Sequence, residues 1–390
     1  MGTVPRELSL VVFPFKTERP EVVLANVEAA AAHPRVGRVL CVGYEEEGTF
    51  RAIAEARDGI ASEAGTPVDL ILQERIGSKR PGKGDGMNTA LRYFLSETDF
   101  ERIHFYDADI TNFSGEWITK AEEAADFDYA VVRHYFPRAS TDAMITWFIT
   151  RTGFALRFPR SELPWIEQPL GGELLFKRHV AERLAADERV AAQSDWGIDT
   201  LYTFSVVQYC EPMFEAYVAS GKAHALYGPL TDLRTMLIEC FVALQSIKDE
   251  EVPMGCIHRI EYPDVVPQNI AEKIGFDFES TLALLPEVWT ERMVDLLDLF
   301  PTPVAEGLAA NRTGHPIFGF MDEVEWYDSY LIFLDHFVEG DPDWEHLLFK
   351  FWLVRVLNFT ATAAVRGYSY AGRYLHRMVV DYMRRSALGV

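Results

Sequence analysis

Short apolar runs alternate with segments of helical spacing along the first third of the chain. Residues 8–15 are almost continuously apolar, and residues 20–32 space their apolar side chains as one face of a helix does. The alternation continues, with strands predicted at 38–43, 68–72 and 102–106 and helices at 50–64 and 87–95. Nearly continuous apolar strands are typical of parallel sheets covered by helices on both faces, and strands that alternate with helices indicate βαβ units. The pattern therefore predicts an α/β domain that binds its ligand beyond the carboxyl ends of the strands.

The pattern changes further along the chain. Residues 128–230 are mixed, with strands predicted at 129–135, 173–176 and 212–218 and a long helix at 142–158. From Thr231 onward helices dominate, and they are predicted at 233–247, 270–274, 281–300, 323–337 and 344–383. We therefore predict two domains, an α/β domain at residues 1–230 and a mainly helical domain at residues 231–390.

Composition and charge narrow the classes of function. The 390 residues include 37 Lys and Arg against 59 Asp and Glu, which gives a formal net charge of −22. An acidic surface repels phosphate backbones and anionic lipids, so nucleic acid and membrane surfaces are poor partners. No apolar run approaches the roughly 20 residues of a membrane span, so none is expected. Four widely separated cysteines favour reduced thiols in a cytoplasmic protein.

The C-terminal end departs from this acidic average. The last 40 residues carry six Arg and one Asp, a local charge of +5. A helix with solvated arginines explains this charge, and so does a contact between subunits. We expect a homo-oligomer.

The motif Asp107-Ala108-Asp109 is the first candidate for chemistry. It follows a predicted buried strand, and two carboxylates at this spacing can bind a divalent cation such as Mg²⁺ or Mn²⁺, or a ribose. The same spacing recurs at Asp126/Asp128 and Asp341/Asp343, where a turn and a helix cap explain it. The sequence therefore favours the first pair as the functional one.

A glycine-rich basic loop follows the third predicted strand. Residues 77–86 contain four glycines, and basic side chains stand at Arg75, Lys79, Arg80 and Lys83. Glycines let backbone N–H groups approach phosphates, and the cations supply charge. The loop matches neither the Walker pattern nor GxGxxG. A phosphate site and a flexible surface loop are the two interpretations.

Other polar residues become candidates through their positions. Lys16 and Glu18 follow the first strand, where they can meet a base or a phosphate, although surface residues look the same. Asp199 lies three residues after Trp196 and can bind a sugar hydroxyl or stabilise a helix N-terminus. His224 can complete a metal site with an aspartate.

A second anion site is predicted around the fifth strand. Arg133, Arg138 and Thr146 lie close in sequence, and an arginine can hold a carboxylate through two parallel hydrogen bonds. A helix cap at Thr141 or Asp142 is the structural alternative.

Several longer stretches resemble known enzymes. Phe13-Pro14-Phe15-Lys16, the Asp107-Ala108-Asp109 motif and the loop 82–88 together resemble a GT-A nucleotide-sugar glycosyltransferase. Longer ungapped runs are similar to glycosyltransferase family 78, the mannosylglycerate synthase family, and together span nearly the whole chain: 102–111, 133–146, 165–175, 194–202, 321–323 and 340–345.

The resemblance implies a GT-A fold with a Rossmann-like nucleotide-binding domain, followed by a mainly helical domain. It implies retaining transfer of mannose from GDP-mannose to D-glycerate, which yields the compatible solute α-mannosylglycerate. It also implies a divalent metal (Mn²⁺, Mg²⁺ or Ca²⁺) held by Asp109 and His224.

The resemblance also assigns residues, group by group. The nucleotide-sugar site comprises Pro14, Phe15, Lys16, Glu18, Gln73, Lys83, Tyr106, Asp107, Ala108, Gly171 and Tyr227. The residues around the transferred sugar and the reaction are Lys83, Leu170, Trp196 and Asp199. The acceptor site comprises Arg138, Asp142, Ala143, Thr146 and Met236, together with Trp196 and Asp199. One position departs from the family pattern, since Ala225 stands where the family has Arg after the metal-binding His.

The predicted mechanism keeps both substrates on one face of the sugar. The residue matched to the opposite face is Leu170, which has no nucleophilic atom. We therefore expect the leaving phosphate to accept the proton of the acceptor hydroxyl. The alternatives are glucosyl transfer, another small 2-hydroxy acid such as lactate as acceptor, a sugar-phosphate nucleotidyltransferase, and a binding protein without activity.

Overall fold

The computed structural model describes residues 7–224, 230–254, 257–259, 266, 268–271, 274–313 and 316–389. Contacts divide the chain into two compact units. Unit 1 consists of Met1–Pro137, Ile166–Ala225 and Pro253–Pro263. Unit 2 consists of Arg138–Trp165, Leu226–Val252 and Asp264–Val390.

An eight-stranded sheet forms the centre of unit 1 in the described part of the chain. Its strands are β1 (Ser9–Phe15), β2 (Val36–Gly43), β3 (Val68–Leu72), β4 (Arg102–Phe105), β5 (Val131–Tyr135), β6 (Leu174–Lys177), β7 (Met213–Tyr217) and β8 (Ile257–Arg259). They lie in the order β3-β2-β1-β4-β6-β5-β7-β8. Only β6 runs antiparallel to its neighbours β4 and β5, while the other pairs are parallel.

Helices cover this sheet and bury its apolar faces. The helices of the first 210 residues, of which α5 belongs to unit 2, are α1 (Pro20–Ala31), α2 (Thr49–Ala64), α3 (Lys83–Glu97), α4 (Gly115–Asp126), α5 (Thr152–Arg157), α6 (Arg178–Ala186), α7 (Glu188–Ala192) and α8 (Ile198–Gln208). Val11 and Phe13 of β1 pack in one fully buried cluster with Val23 and Val27 of α1. Burial of these residues fixes the strand ends from which the site is built.

Unit 2 is helical in its described residues. Beyond α5 it contains α9 (Arg234–Ser246), α10 (Gln268–Ala271), α11 (Phe278–Ala283), α12 (Glu291–Leu296), α13 (Thr302–Ala310), α14 (Glu323–His336), α15 (Pro342–Thr362) and α16 (Tyr368–Leu388). The predicted cap at Asp341 is confirmed, because its side chain accepts a hydrogen bond from the N–H of Asp343 at the start of α15.

The α/β class and the helical C-terminal part are thus confirmed, while three helix predictions are wrong. The predicted helix 281–300 is interrupted between Ala283 and Glu291, where Pro286 has no N–H to donate to a helix. Residues 344–383 form two helices rather than one, because Gly367 adopts φ 101° between them, a conformation that favours glycine. The predicted helix 142–158 begins instead with a π-helix, Thr146–Arg151, before α5.

The two units also differ from the predicted division at residue 230. Residues 138–165 belong to the helical unit, and β8 pairs in parallel with β7 and so returns to the sheet. Both units are therefore discontinuous in sequence, which a single boundary cannot represent.

One segment of the described chain, Pro342–Arg366, is long and apolar enough to cross a membrane. The sequence shows no continuous apolar run there because Lys350 and Arg355 interrupt it. Since 78% of its apolar window is buried inside the protein, the segment is accounted for as a core helix of unit 2.

Candidate active site

The residues that follow β1 and β4 meet at one edge of the sheet, because these two parallel strands are neighbours. The N–H of Lys16 donates to the carboxylate of Glu18, and the Lys16 ammonium lies 4.1 Å from the ring centroid of Tyr44. Burial raises the pKa of Glu18, and the charges of Asp109 and Asp107 add to that shift. The structure therefore brings the loop after β1 close to the aspartate motif, as predicted from the strand pattern.

Five charged side chains beside this edge form a row of ion pairs in which negative and positive groups alternate: Asp199, Lys83, Asp107, Lys222 and Glu173. Lys83 at the start of α3 donates from Nζ to Asp107 Oδ1 and to Asp199 Oδ2, both at 3.0 Å. Lys222 donates from Nζ to Asp107 Oδ2 and to Glu173 Oε1, both at 2.6 Å. Each oxygen of Asp107 thus accepts from a different lysine.

The neighbouring charges keep Asp107, Lys83 and Lys222 ionised. Burial opposes the charge of Asp107, but Lys222 and Lys83 outweigh it and hold the pKa of this carboxyl well below its usual range. Burial likewise opposes the charge of both lysines, and attraction from the carboxylates raises their pKa values. Burial raises the pKa of Asp199 and Glu173, against the attraction of the nearest lysine. Both ammonium groups are therefore charged at neutral pH.

Asp199 and Glu173 each keep one buried oxygen without a hydrogen-bond partner among the described residues. These atoms are Oδ1 of Asp199, whose side chain is 1% exposed, and Oε2 of Glu173, which is fully buried. A buried carboxylate oxygen without a donor is costly, and such an atom in a site points to a ligand or a water. Asp199 lies in the first turn of α8, so its backbone position is fixed.

Gly172 allows the aspartate and lysine to meet. A Cβ atom at this position would lie 2.2 Å from Asp107 Oδ1 and 2.8 Å from Lys83 Nζ. No side chain fits there without displacing the ion pair. Gly172 therefore contributes to the site because it has no side chain and leaves room for the Asp107–Lys83 ion pair.

The glycine-rich loop is organised by a buried carboxylate. Asp85 accepts from the N–H groups of Ile76 and Gly77 at 3.0 and 2.9 Å, and it pairs with Arg75 at 2.7 Å. Arg75 is therefore committed to the loop itself, in contrast to the interpretation of this cation as a phosphate ligand. Lys83 is the loop cation that reaches the aspartate motif.

The nucleotide candidates Gln73 and Pro14 lie together beside the start of α3. A Cβ on Gly86 would lie 3.4 Å from Gln73 Oε1 and 3.6 Å from Pro14 Cβ. These contacts place the end of β1, the end of β3 and the first turn of α3 side by side. A helix N-terminus with close backbone approach suits a phosphate.

The turn that carries Leu170 is held by a buried arginine. Arg133 donates from Nη1 to the carbonyls of Gln168 and Gly171, at 2.9 and 3.0 Å, and from Nη2 to Thr203 at 2.6 Å. The prediction of Arg133 as part of an anion site is wrong, because its side chain is buried and bound to these carbonyls and this hydroxyl. Trp196 lies near the other end of the site, with its ring centroid 5.5 Å from Lys83 Nζ.

Asp109 and His224 lie on two segments fastened to each other. Thr111 donates to the carbonyl of Ala223 from N and from Oγ1, at 2.8 and 3.0 Å, and Asn112 bonds to the backbone of Gly221 and Ala223. No group of three His, Cys, Asp or Glu side chains suited to a metal occurs among the described residues. A carboxylate and an imidazole fit a metal ion that takes its remaining ligands from a diphosphate and water.

Three predicted nucleotide contacts have side chains in the core. The ring centroids of Phe15 and Phe50 lie 6.4 Å apart. The Tyr106 hydroxyl lies 3.1 Å from His104 Nδ1, and the Ala108 carbonyl accepts a hydrogen bond from the Asn26 amide. Tyr106 is fully buried, and Phe15 and Ala108 are 4% and 2% exposed, so none of the three side chains faces open space. Tyr227 and Ala225 lie outside the described residues.

Five of the predicted acceptor residues, Arg138, Asp142, Ala143, Thr146 and Met236, belong to unit 2, while Trp196 and Asp199 belong to unit 1. Arg138 donates from Nε and Nη2 to the two carboxylate oxygens of Asp142, both at 3.0 Å. The N–H of Ala143 donates to Asp142 Oδ1 at 2.8 Å, and Ala143 adopts φ 62°, which is uncommon for a residue with a side chain. Thr146 begins the π-helix, and Met236 lies half-buried in α9.

Comparison with known proteins decides the family. The model of the mannosylglycerate synthase GT domain matches residues 9–246, and that of the mannosylglycerate synthase C-terminal domain matches residues 270–379. The mannosylglycerate synthase of Rhodothermus marinus is 62% identical over 98% of this chain and 96% of its own. The chain belongs to the mannosylglycerate synthase family. The resemblance found in the sequence is thus confirmed.

Further members and neighbours are more distant. The mannosylglycerate synthase of Selaginella moellendorffii is 55% identical over 98% of this chain and 91% of its own. A solved structure of glucosyl-3-phosphoglycerate synthase from Mycobacterium tuberculosis, in complex with Mn²⁺, UDP-glucose and phosphoglyceric acid, shows 16% identity and a TM-score of 0.47. It covers 63% of this chain and 81% of that chain.

Three residues of this mannosylglycerate synthase family member were missed from sequence. Lys222, Glu173 and Gly172 are far from Asp107 along the chain. Gly172 and Glu173 lie in the stretch 165–175 that resembles the family, but the resemblance assigned them no role. The signal for Lys222 was its place two residues before His224. Glu173 directly follows Gly172 and precedes β6, so its burial was predictable but its partner was not.

Proposed function

We propose that this chain transfers mannose from GDP-mannose to D-glycerate with retention of configuration, and so makes α-mannosylglycerate. The observation that carries the proposal is the 62% identity to a mannosylglycerate synthase over nearly the full length of both chains. The cluster of Lys83, Asp107 and Asp199 supports it, because it offers a cation for a phosphate and a buried oxygen for a hydroxyl.

The donor is proposed to lie along the ends of β1, β3 and β4. Guanosine contacts Pro14, Lys16, Glu18 and Gln73, and the buried Phe15, Tyr106 and Ala108 support these contacts from the core. The ribose hydroxyls donate to Asp107, and Lys83 faces the diphosphate. Support comes from the closeness of Gly86 to Gln73 and Pro14, since a Cβ on this glycine would lie 3.4 Å from Gln73 Oε1 and 3.6 Å from Pro14 Cβ.

Asp109 and His224 are the proposed ligands of a divalent metal, with Mn²⁺, Mg²⁺ or Ca²⁺ as candidates. Such a metal neutralises charge on the diphosphate leaving group. The hydrogen bonds between residues 111–112 and 221–223 support this assignment, since they bring the two segments together.

The transferred mannose is proposed to contact Leu170, Gly171, Trp196 and Asp199. The free Oδ1 of Asp199 accepts from a sugar hydroxyl. The bond between C1 of mannose and the diphosphate oxygen breaks, and its electron pair leaves with GDP. A hydroxyl oxygen of D-glycerate forms the new bond to C1 on the same face, and its proton passes to the leaving phosphate oxygen.

The acceptor carboxylate is proposed to bind Arg138, with Asp142, Ala143, Thr146 and Met236 around it. Support comes from the bonds of Arg138 Nε and Nη2 to Asp142, which hold the guanidinium in place, and an arginine is suited to bind a carboxylate. Asp142 in turn is oriented by the N–H of Ala143.

One assay tests the reaction. GDP-mannose and GDP-glucose are each incubated with D-glycerate or D-lactate and Mn²⁺, and the products are identified by NMR. We expect α-mannosylglycerate from GDP-mannose and D-glycerate, and a loss of at least about 100-fold in kcat for Asp199→Ala. The matched control Asp58→Asn, whose side chain is 94% exposed, keeps wild-type activity.

Three outcomes would contradict the proposal. A β-linked product would exclude retention, and a sugar trapped covalently on a carboxylate would exclude the same-face step. Pyrophosphate release from GTP and mannose 1-phosphate, without glycerate transfer, would indicate a nucleotidyltransferase.

A cytoplasmic location is part of the proposal. Cys41, Cys210 and Cys240 are free thiols in the described chain, in keeping with a reducing compartment. The homo-oligomer stays a prediction, which light scattering of the purified protein tests.

A further inference from the structure

We propose that Lys222 is a positioning residue of the donor site, which acts through its ion pair with Glu173 to orient the carboxylate of Asp107. The inference rests on the proposed function, because the ligand that Asp107 receives is the ribose of the proposed donor. Neither Lys222 nor Glu173 is among the residues that the sequence assigned to the site.

Glu173 anchors Lys222 in one place. The Glu173 side chain is fully buried, and Lys222 is the cation that bonds it, with Nζ 2.6 Å from Oε1. The Glu173 carbonyl accepts from the N–H of His134 in β5, so the sheet holds this residue. Because a buried carboxylate without a counter-ion is strongly destabilising, the ammonium stays beside Glu173.

Lys222 passes this fixed position on to Asp107. Its Nζ also lies 2.6 Å from Asp107 Oδ2, while Lys83 lies 3.0 Å from Oδ1. A carboxylate held at both oxygens cannot rotate about its last bond, and its remaining lone pairs point in set directions. Two hydroxyl donors of a ribose need such a fixed acceptor for a bidentate contact.

The backbone on either side of Lys222 is fastened in the same way. Asn112 donates to the carbonyl of Gly221 at 2.9 Å and accepts from the N–H of Ala223 at 2.9 Å. Lys222 therefore lies between two backbone bonds to the loop that follows Asp107. The Lys222 side chain, which is 9% exposed, adds a further bond between the same two segments, from Nζ to Asp107.

The test distinguishes a role of Lys222 in orienting Asp107 from a role only as the counter-ion of Glu173. Binding of GDP in the presence of Mn²⁺ is measured by calorimetry, and the melting temperature by scanning calorimetry, for Lys222→Met, Glu173→Gln and the double variant. We expect Lys222→Met to lower the melting temperature, because Glu173 loses its counter-ion. We expect the Kd of GDP to rise about 10- to 100-fold, the usual effect of removing a residue that orients a ligand-binding group.

The double variant carries the decisive result. Replacing the charge of Glu173 as well restores the melting temperature, since no unpaired buried charge remains, but the Kd of GDP stays raised because Asp107 Oδ2 still lacks its donor. If Lys222→Met alone does not fold, the double variant supplies the measurement. A double variant that binds GDP as wild type does would overturn the proposal and leave Lys222 as a counter-ion only.

Lys350→Met is the matched control. Lys350 is a buried lysine of unit 2 that donates to backbone carbonyls, including Leu285 at 2.9 Å. Its replacement lowers the melting temperature and leaves the Kd of GDP unchanged. A wild-type protein that does not bind GDP contradicts the proposed function itself, which is a different result from equal binding by wild type and variants.

Discussion

At the scale of single residues, the site depends on what surrounds the reactive groups as much as on those groups. The aspartate motif, Lys83 and Asp199 were predictable from sequence, because they lie next to strands and in recognisable stretches. Lys222 and Gly172 were not, since their roles arise from contacts between segments distant in sequence. Spacing along the chain carries no information on such contacts.

Gly172→Ala tests the need for empty space beside Asp107. We expect kcat/KM for the donor to fall at least about 100-fold, because the new methyl group displaces Asp107 or Lys83 from a geometry that catalysis requires within a fraction of an ångström. Steady-state kinetics and a melting curve check this. The melting temperature should fall as well, because displacing Lys83 weakens its ion pair with the buried Asp199.

Gly372→Ala is the control for this substitution. A Cβ at Gly372 would meet nothing within 4 Å, and the residue lies inside α16. Alanine there should leave activity unchanged and stabilise the protein by about 0.5–1 kcal/mol. Equal activity of both variants would refute the role of Gly172.

At the scale of elements, the strands were the most predictable part. Residues 68–72 match β3, and the other predicted strands of the first half overlap β1, β2 and β4. The antiparallel direction of β6 was not predictable, because an apolar run fixes burial but not direction. The π-helix Thr146–Arg151 was missed for a similar reason, since its side chains have the apolar spacing of an ordinary helix.

The loop before α3 is the element whose order depends most on one side chain. Asp85→Asn replaces an acceptor oxygen with an N–H₂ group, which faces the N–H donors of Ile76 or Gly77 or the guanidinium of Arg75. We expect a loss of about 1–3 kcal/mol in the free energy of unfolding, together with a raised KM for the donor because Lys83 belongs to this loop. Urea denaturation and kinetics measure both.

Asp99→Asn provides the comparison for this loop variant. Asp99 is exposed just beyond the C-terminal end of α3, so the same chemical change there removes no buried acceptor. A loss of stability as large as that of Asp85→Asn would show that the effect does not come from the loop.

At the scale of the whole molecule, buried charge lies at both edges of the sheet. Opposite the site, near the start of β1 and β4, Glu122 accepts from Ser9 and His104 and pairs with Arg35 and Arg102. Burial opposes the charge of Glu122, but the hydrogen bonds from His104 and Ser9 and the attraction of Arg102 lower its pKa from 4.5 to about 2. The net charge of −22 thus describes the surface better than these two buried clusters, in which carboxylates pair with lysines or arginines.

The lowered pKa of Glu122 predicts acid sensitivity. The unfolded chain binds the proton more readily than the folded one, so the stability from Glu122 is present above pH 4.5 and is lost as pH falls towards 2. Glu122→Gln should lose roughly 1–3 kcal/mol at neutral pH, because Arg35 and Arg102 lose their buried partner and keep only the half-exposed Asp126. The stability of this variant should also depend less on pH in that window.

Urea denaturation at several pH values checks this prediction, with the exposed Glu63→Gln as the comparison. Equal pH slopes for wild type and Glu122→Gln between pH 4.5 and 2 would refute it. If Glu122 causes the pH dependence of stability in this window, that dependence should be lost in Glu122→Gln and kept in Glu63→Gln.

The discontinuity of unit 2 has a consequence for synthesis on the ribosome. The segment 138–165 carries Arg138 and Thr146, and its backbone carbonyls at Met144 and Phe148 accept from the indole N–H groups of Trp352 and Trp326. At about 5–20 residues per second, these partners emerge roughly 10–40 s after the segment itself. The proposed acceptor residues of this segment therefore stay incompletely packed until translation has almost finished. A nascent chain that ends before α15 lacks the hydrogen bond from Trp352 to Met144.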